Sequence, residues 1–366
     1  MAYEPLFQPL SVNHKLDLPN RLVMAPMTTT AGELDGSFSE QEIAYLAQRA
    51  RAGIGLIMTP ACYCHKSGHS FERQVGCHTD DLLPSLSACA GAINAAGAAS
   101  FLQIHHGGNA AKRHLSGGPP WAPSAVHNRR GTSELPHEMT DDEIETIVAS
   151  FAAAAQRARR AGFTGIEIHG ANTYLFQQFF SPFTNRRTDR WGVQTWENRT
   201  RFSAEVVRRV REAVGADYPI AYRLSPEEDH PDGYDTEDAI RLLDTIVPLG
   251  IDIVHVSSWE YGAGLRHAYP NGSHPTRMIR EAMPPQIPVI GVGGITLPDQ
   301  AMRVLEDGVE LVAIGRELLL DADWATKVRA GELEHIRTAV TNRAEIDELD
   351  VPERMKDYLA RFFISD

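Results

Sequence analysis

Short apolar runs alternate with charged, alanine-rich helical stretches from one end of this chain to the other, and there are eight runs. They lie at 22–25, 54–58, 100–104, 165–168, 220–224, 253–256, 289–292 and 311–314. Between them the helical stretches read 39–51, 85–96, 141–161, 199–214, 236–249, 276–283 and 298–306. Runs of four or five residues rich in Val, Ile, Leu and Met predict strands buried on both faces, as in a parallel sheet. Eight such strands alternating with helices make the inventory of a closed (β/α)8 TIM barrel, an α/β fold. A doubly wound open sheet is the competing arrangement, but it calls for a glycine-rich first turn. The first turn here reads MAPMTTT. No linker or low-complexity segment interrupts the pattern, so residues 1–366 are expected to form one domain with its barrel core at about 21–328. Residues 1–20 are expected to form a hairpin closing the barrel floor, and residues 330–366 a helical tail.

Charge and composition narrow the function. Lys and Arg total 35 against 48 Asp and Glu, a formal net charge of -13, which disfavours nucleic acid and anionic membranes as partners. The N-terminal MAYEPLFQPL has neither the basic nor the apolar segment of a signal peptide, and no window approaches a membrane span. Four cysteines in 366 residues fit a reducing cytoplasm better than a disulfide scaffold.

A barrel enzyme does its chemistry where strands end. Strand four runs straight into His169, with Asn172 and Tyr174 close behind. In a helical turn positions i and i+3 share a face, so His169 and Asn172 can offer two donors to one acceptor, and Tyr174 adds a phenolic proton. The other strand ends carry Pro26, Met27 and Thr28; Pro60 and Ala61; Gln103, His105 and His106; Arg223; Gly293 and Gly294; and Gly315 and Arg316. Glycine turns after strands seven and eight, with Arg316, make a phosphate pocket, although glycines also serve tight turns alone. Arg223 sits on an otherwise apolar strand, where a charge must meet an anion. That anion is either a core carboxylate or a cofactor in the barrel mouth. Gln103 carries a donor and an acceptor suited to the edge of a pyrimidine-like ring. Phosphate, ring edge and anion together suggest flavin mononucleotide, FMN.

The segment HGANTYLFQQFFSPFTNRRTDRWG, supported by NRLVMAPMT, QIHHGG, VGGI and IGRELL, resembles the old yellow enzyme family of FMN-dependent ene-reductases over nearly the whole barrel. The resemblance implies that flavin reduced by NADH or NADPH passes hydride from its N5 to the β-carbon of an activated alkene, an α,β-unsaturated carbonyl or nitro compound. It implies that His169 and Asn172 bind the substrate oxygen and that Tyr174 protonates the α-carbon. Thr28, beside Pro26 and Met27, would donate to flavin O4, Gln103 would hold the pyrimidine edge, and Arg223 would face N1–C2. Ala61 would offer its backbone N–H, and Gly293, Gly294, Gly315 and Arg316 would hold the phosphate. Related barrels often self-associate, so a homo-oligomer is implied too.

Three positions depart from the family pattern. Thr173 stands where glycine is usual, Gly192-Val193 where two glycines are common, and Thr28 where some relatives carry cysteine. Larger relatives carry an iron–sulfur cluster and a second dinucleotide-binding domain; with no cysteine after Cys89, that arrangement is not expected. A displaced Tyr174 would favour a dehydrogenating or demethylating flavoenzyme on the same barrel. A flavin-free phosphate-binding isomerase or aldolase would need a strand-end lysine, and none is present.

Other residues have simpler readings. His105, His106 and His169 could suggest a metal triad, but the HxH and late aspartate of barrel hydrolases are missing. Cys62, Cys64, His65, Cys77 and His78 lack paired CxxC spacing, so they read as buried or loop thiols rather than zinc ligands. No metal is therefore expected. By position His106 borders the flavin edge and the substrate pocket. The loop after strand six, with Trp259, Tyr261, His267 and Tyr269, is expected to line that pocket. The segment 107–133 is expected to form a lid over the mouth.

Overall fold

The structure is a computed structural model that describes residues 2–127, 134–264, 269 and 273–364. Eight parallel strands close on themselves: β1 (Leu22–Met24), β2 (Leu56–Met58), β3 (Ala99–His105), β4 (Gly165–Gly170), β5 (Ile220–Leu224), β6 (Ile253–Val256), β7 (Val289–Val292) and β8 (Leu311–Ile314). Each pairs with its neighbour in sequence, and β8 returns to β1 through Val312↔Leu22 and Ile314↔Met24. This is a (β/α)8 barrel. The helices between strands are α1 (Glu40–Arg51), α2 (Leu83–Ala95), α3 (Asp141–Ala161), α4 (Trp196–Val214), α5 (Thr236–Ile246), α6 (Pro275–Ala282) and α7 (Pro298–Glu306). After β8 come α8 (Trp324–Ala330) and, near the end of the chain, α9 (Glu353–Phe363).

Helix α3 illustrates how local sequence sets an element. Thr140 and Glu143 form a reciprocal capping box at its start, and Gly162, at φ +91°, ends it. Ile144, Ile147, Val148 and Phe151 recur at helical spacing and are all buried. Where boundaries depart from the sequence pattern, caps explain it. Thr195 accepts a hydrogen bond from Asn198 N–H and starts α4 at Trp196 rather than at 199. Pro248 cannot continue the α-helical ladder, so α5 stops at Ile246 and a 3-10 turn follows.

Alternate strand residues fill the barrel. Val23, Ala25, Leu56, Met58, Phe101, Ala221, Ile253, Ile290, Leu311 and Ala313 form one interior cluster. Gly165 leaves room for the Phe101 ring, which lies 2.4 Å from where a Cβ would sit. Below, two three-residue strands, Leu10–Val12 and Leu16–Leu18, form the expected hairpin. Its turn residues Asn13 and His14 both have positive φ, 49° and 57°, the hand that matches strand twist. Val12 and Leu18 plug the interior cluster from beneath. Among the described residues no helix is long and apolar enough to cross a membrane.

Candidate active site at the C-terminal rim of the barrel

A cavity of about 670 Å³ opens where the strands end. Its walls include Pro26, Met27 and Thr28 after β1, Asn172 and Tyr174 after β4, and Arg223 on β5. Trp259 after β6, Gly293 and Gly294 after β7, and Gly315 and Arg316 after β8 complete the ring. Of the residues singled out from sequence, Pro60, Ala61, Gln103, His105, His106, His169, Tyr261 and Tyr269 do not line it. Gln103 and His169 are buried beside it in the strands that form the rim.

His169 lies on β4, so a helical turn does not join it to Asn172. The chain instead reverses through two consecutive left-handed residues, Asn172 at φ +59° and Thr173 at φ +65°. Side chains hold that turn: Ser225 Oγ accepts from Asn172 N–H at 2.9 Å, and Gln177 Oε1 accepts from Thr173 N–H at 2.8 Å. Gln178 Nε2 donates to Thr173 O at 2.7 Å. A β-branched residue costs about 1–2 kcal/mol in this conformation, which explains why glycine suits the position.

Hydrogen bonding assigns the polarity of the pair. Ala171 N–H donates to His169 Nδ1 at 3.3 Å, so the neutral ring carries its proton on Nε2. Burial, reinforced by His105, Arg223 and His255, holds the His169 pKa well below the usual histidine range, and the imidazole is neutral at pH 7. Ser257 Oγ donates to Asn172 Oδ1 at 3.0 Å, which leaves the amide nitrogen as the donor end. The Tyr174 ring stands edge-on to His105 at 4.5 Å and His169 at 5.1 Å between centroids. Both nitrogens of His105 are buried without partners, and burial drives its pKa down to about 3.

Arg223 is buried, and its Nε has no hydrogen-bond partner. Its Nη1 reaches Pro26 O at 3.5 Å, and among the described residues no carboxylate lies within ion-pair distance of it. A buried guanidinium that lines the cavity with its Nε unsatisfied fits an anionic or carbonyl-rich ring. Gly294 at φ +59° and Gly293 at φ +143° make a turn that a side chain would strain. A Cβ on Gly293 would come within 2.5 Å of Tyr261 N. Arg316 stacks under the Trp259 ring at 4.8 Å. These residues fit a flavin with its phosphate at the β7–β8 turns.

The remaining positions have other partners. His106 receives Gly108 N–H on Nδ1 and bonds Ser67 through Nε2 at 2.9 Å, tying its own loop to the one after β2. Ala61 O accepts from Gln74. Tyr261 turns away, with its hydroxyl on Asp307 Oδ2 at 3.1 Å and its ring against β7 at Gly291. Tyr269 bonds Glu227 and Thr236; His267 lies outside the described residues. Of the expected lid, Asn109 and His127 line the cavity, and 128–133 fall outside the described residues. Cys62, Cys64, Cys77 and Cys89 are free and buried.

Sequence reasoning missed three contributors. Helix α9 brings Met355, Tyr358, Leu359 and Phe362 to the cavity wall, and nothing local to that amphipathic helix tells where it docks. Glu227, Glu228 and Asp229 line the wall after β5. Glu167 and His255, polar residues on apolar strands, are wholly buried; the reasoning applied to Arg223 would have found them.

A profile of the NADH:flavin oxidoreductase / NADH oxidase family matches residues 5–334. The probable NADH-dependent flavin oxidoreductase YqiG of Bacillus subtilis is 37% identical over 92% of this chain and 91% of its own length. NADH:fumarate oxidoreductase of Klebsiella pneumoniae is 38% identical over 96% of this chain, which spans only 38% of that protein. The old yellow enzyme homologue from Zymomonas mobilis superposes with a TM-score of 0.77 at 26% identity, covering 89% of this chain and 92% of that one.

Proposed function

The chain belongs to the NADH:flavin oxidoreductase / NADH oxidase family, and from that premise we propose that it reduces the activated C=C bond of α,β-unsaturated carbonyl or nitro compounds. FMN is the family's cofactor and a reduced nicotinamide its electron source; bound FMN carries two electrons between nicotinamide and acceptor. The observation that carries the reading is the donor pair. His169, protonated on Nε2, and Asn172, with its amide oxygen tied to Ser257, both present N–H groups. Two fixed donors stabilise negative charge growing on a carbonyl or nitro oxygen, and they need no reorganisation as it grows. The Tyr174 hydroxyl then hands a proton to the α-carbon. Arg223 would hold the flavin ring and Arg316 its phosphate.

The wall chemistry bears on which acceptors enter. With Arg223 and Arg316 given to the cofactor, the wall after β5 also holds Glu227, Glu228 and Asp229, and the mouth holds Trp259, Tyr358 and Phe362. The exposed aromatic rim suits flat acceptors. Purified protein is expected to be yellow, to bleach under NADH or NADPH, and to recover colour with cyclohexenone or a nitroalkene. Protein that stays colourless after reconstitution with FMN would refute the reading.

A further inference from the structure

Inside the barrel, deeper than His169 on the same strand, Glu167 sits with no solvent exposure. Its Oε1 accepts from Gln103 Nε2 at 2.6 Å, and its Oε2 meets His255 Nδ1 at 2.6 Å. Gln103 and Glu167 are register neighbours on β3 and β4, whereas His255 reaches Glu167 from β6, across β5. A carboxylate only accepts hydrogen bonds, which settles the direction of both contacts. Gln103 must turn its nitrogen toward Glu167, and His255 must donate from Nδ1. The Gln103 carbonyl oxygen is then the end of the amide left for another partner. His255 Nε2 is buried and unpartnered, so this ring makes a single hydrogen bond, and that bond fixes the carboxylate.

We propose that His255 is a positioning residue for the flavin: through Glu167 it locks the Gln103 amide so that the barrel offers an acceptor, and not a donor, to the imide N–H on the pyrimidine edge of the isoalloxazine. The inference rests on the FMN reading above. Without the His255 bond the Glu167 carboxylate is free to swing, and without a carboxylate at 167 the Gln103 amide is free to flip. A flipped amide aims its NH2 at the imide N–H, two donors facing each other.

The test is a double-mutant cycle read by FMN affinity and flavin midpoint potential. Apoprotein of wild type, His255→Leu, His255→Gln, Gln103→Leu and His255→Leu/Gln103→Leu is titrated with FMN by fluorescence quenching, and the potential of each reconstituted form is measured. His255→Leu is expected to weaken FMN binding at least tenfold and to shift the potential. His255→Gln, which keeps a donor, is expected within threefold of wild type. In the Gln103→Leu background, His255→Leu is expected to add nothing further. Binding by His255→Leu within twofold of wild type at unchanged potential overturns the inference, as does a loss that persists undiminished in the Gln103→Leu background. If His255→Leu does not fold, Glu167→Gln takes its place in the same cycle with the same expectations. Wild-type protein without affinity for FMN overturns the flavin reading and this inference with it, whereas tight wild-type binding with indifferent variants overturns this inference alone.

Discussion

Replacing Glu42 by glutamine should flatten the alkaline side of the stability profile. Glu42 lies on α1, wholly buried; Thr29 Oγ donates to its Oε1, and its Oε2 has no partner. Burial, outweighing the Thr29 hydrogen bond, lifts its pKa from the ordinary 4.5 to about 7. A carboxyl that is harder to ionise folded than unfolded favours the folded state while it keeps its proton. That advantage is complete below about 4.5 and disappears as pH rises through 7. At about 1.4 kcal/mol per pH unit, the interval amounts to about 3 kcal/mol. With an unfolding entropy of about 2.1 cal/mol/K per residue, the 366-residue chain should lose about 4 °C of Tm over that window from this group. Glu317, lifted by burial to about 8, adds a loss of the same sign that extends further. The assay is Tm by circular dichroism from pH 4.5 to 9 for wild type and Glu42→Gln. The variant should converge on wild type near pH 5 and exceed it by about 4 °C at pH 9, a difference set by the same per-unit energy. Parallel profiles would refute the burial argument. Because Thr29 adjoins Thr28, which lines the cavity, FMN affinity should follow the same profile.

Three further outcomes follow from the site. Tyr174→Phe should slow enone turnover by about 10²–10⁴-fold, the usual worth of a positioned acid, while flavin bleaching by NADH keeps its wild-type rate in stopped flow; equal turnover would remove Tyr174 from proton delivery. Thr173→Gly relieves about 1–2 kcal/mol of left-handed strain but costs about 0.5–1 kcal/mol of chain entropy, so urea unfolding should show a net gain of up to about 1.5 kcal/mol. On the acid side, burial lowers His105 to about 3 and His106 and His169 well below their usual values. The unfolded chain therefore takes up more protons below pH 6.5, stability should fall as pH drops from there toward 3, and His105→Phe should make that fall shallower in pH-dependent urea titrations.

Much of the site was legible because barrel strands end on one rim. Thr28, Arg223, Gly294 and Arg316 are spread along the chain, yet each lies at or just past the end of an apolar run and each lines the cavity. Side-chain direction was not legible. Trp259 and Tyr261 sit two residues apart on one loop; the first lines the cavity and stacks on Arg316, and the second turns outward to Asp307. His105 and His106 are adjacent, yet His105 packs on Tyr174 while His106 bonds Gly108 of its own loop and Ser67 of the loop after β2.

The amino-acid pattern alone determined the barrel, because alternation of doubly buried strands with amphipathic helices is a local signal repeated eight times. It also marked the strand-end chemistry, since a charge or an amide on an apolar run must be satisfied somewhere. Only the tertiary structure decided how those groups are satisfied. The left-handed turn at Asn172 and Thr173 is held by Ser225, Gln177 and Gln178, the carboxylate of Glu167 is shared across three strands, and α9 docks against a cavity built some forty residues and more before it. Each of those outcomes depends on contacts between residues distant in the chain, where the geometry of closure, and no neighbouring residue, chooses the partner.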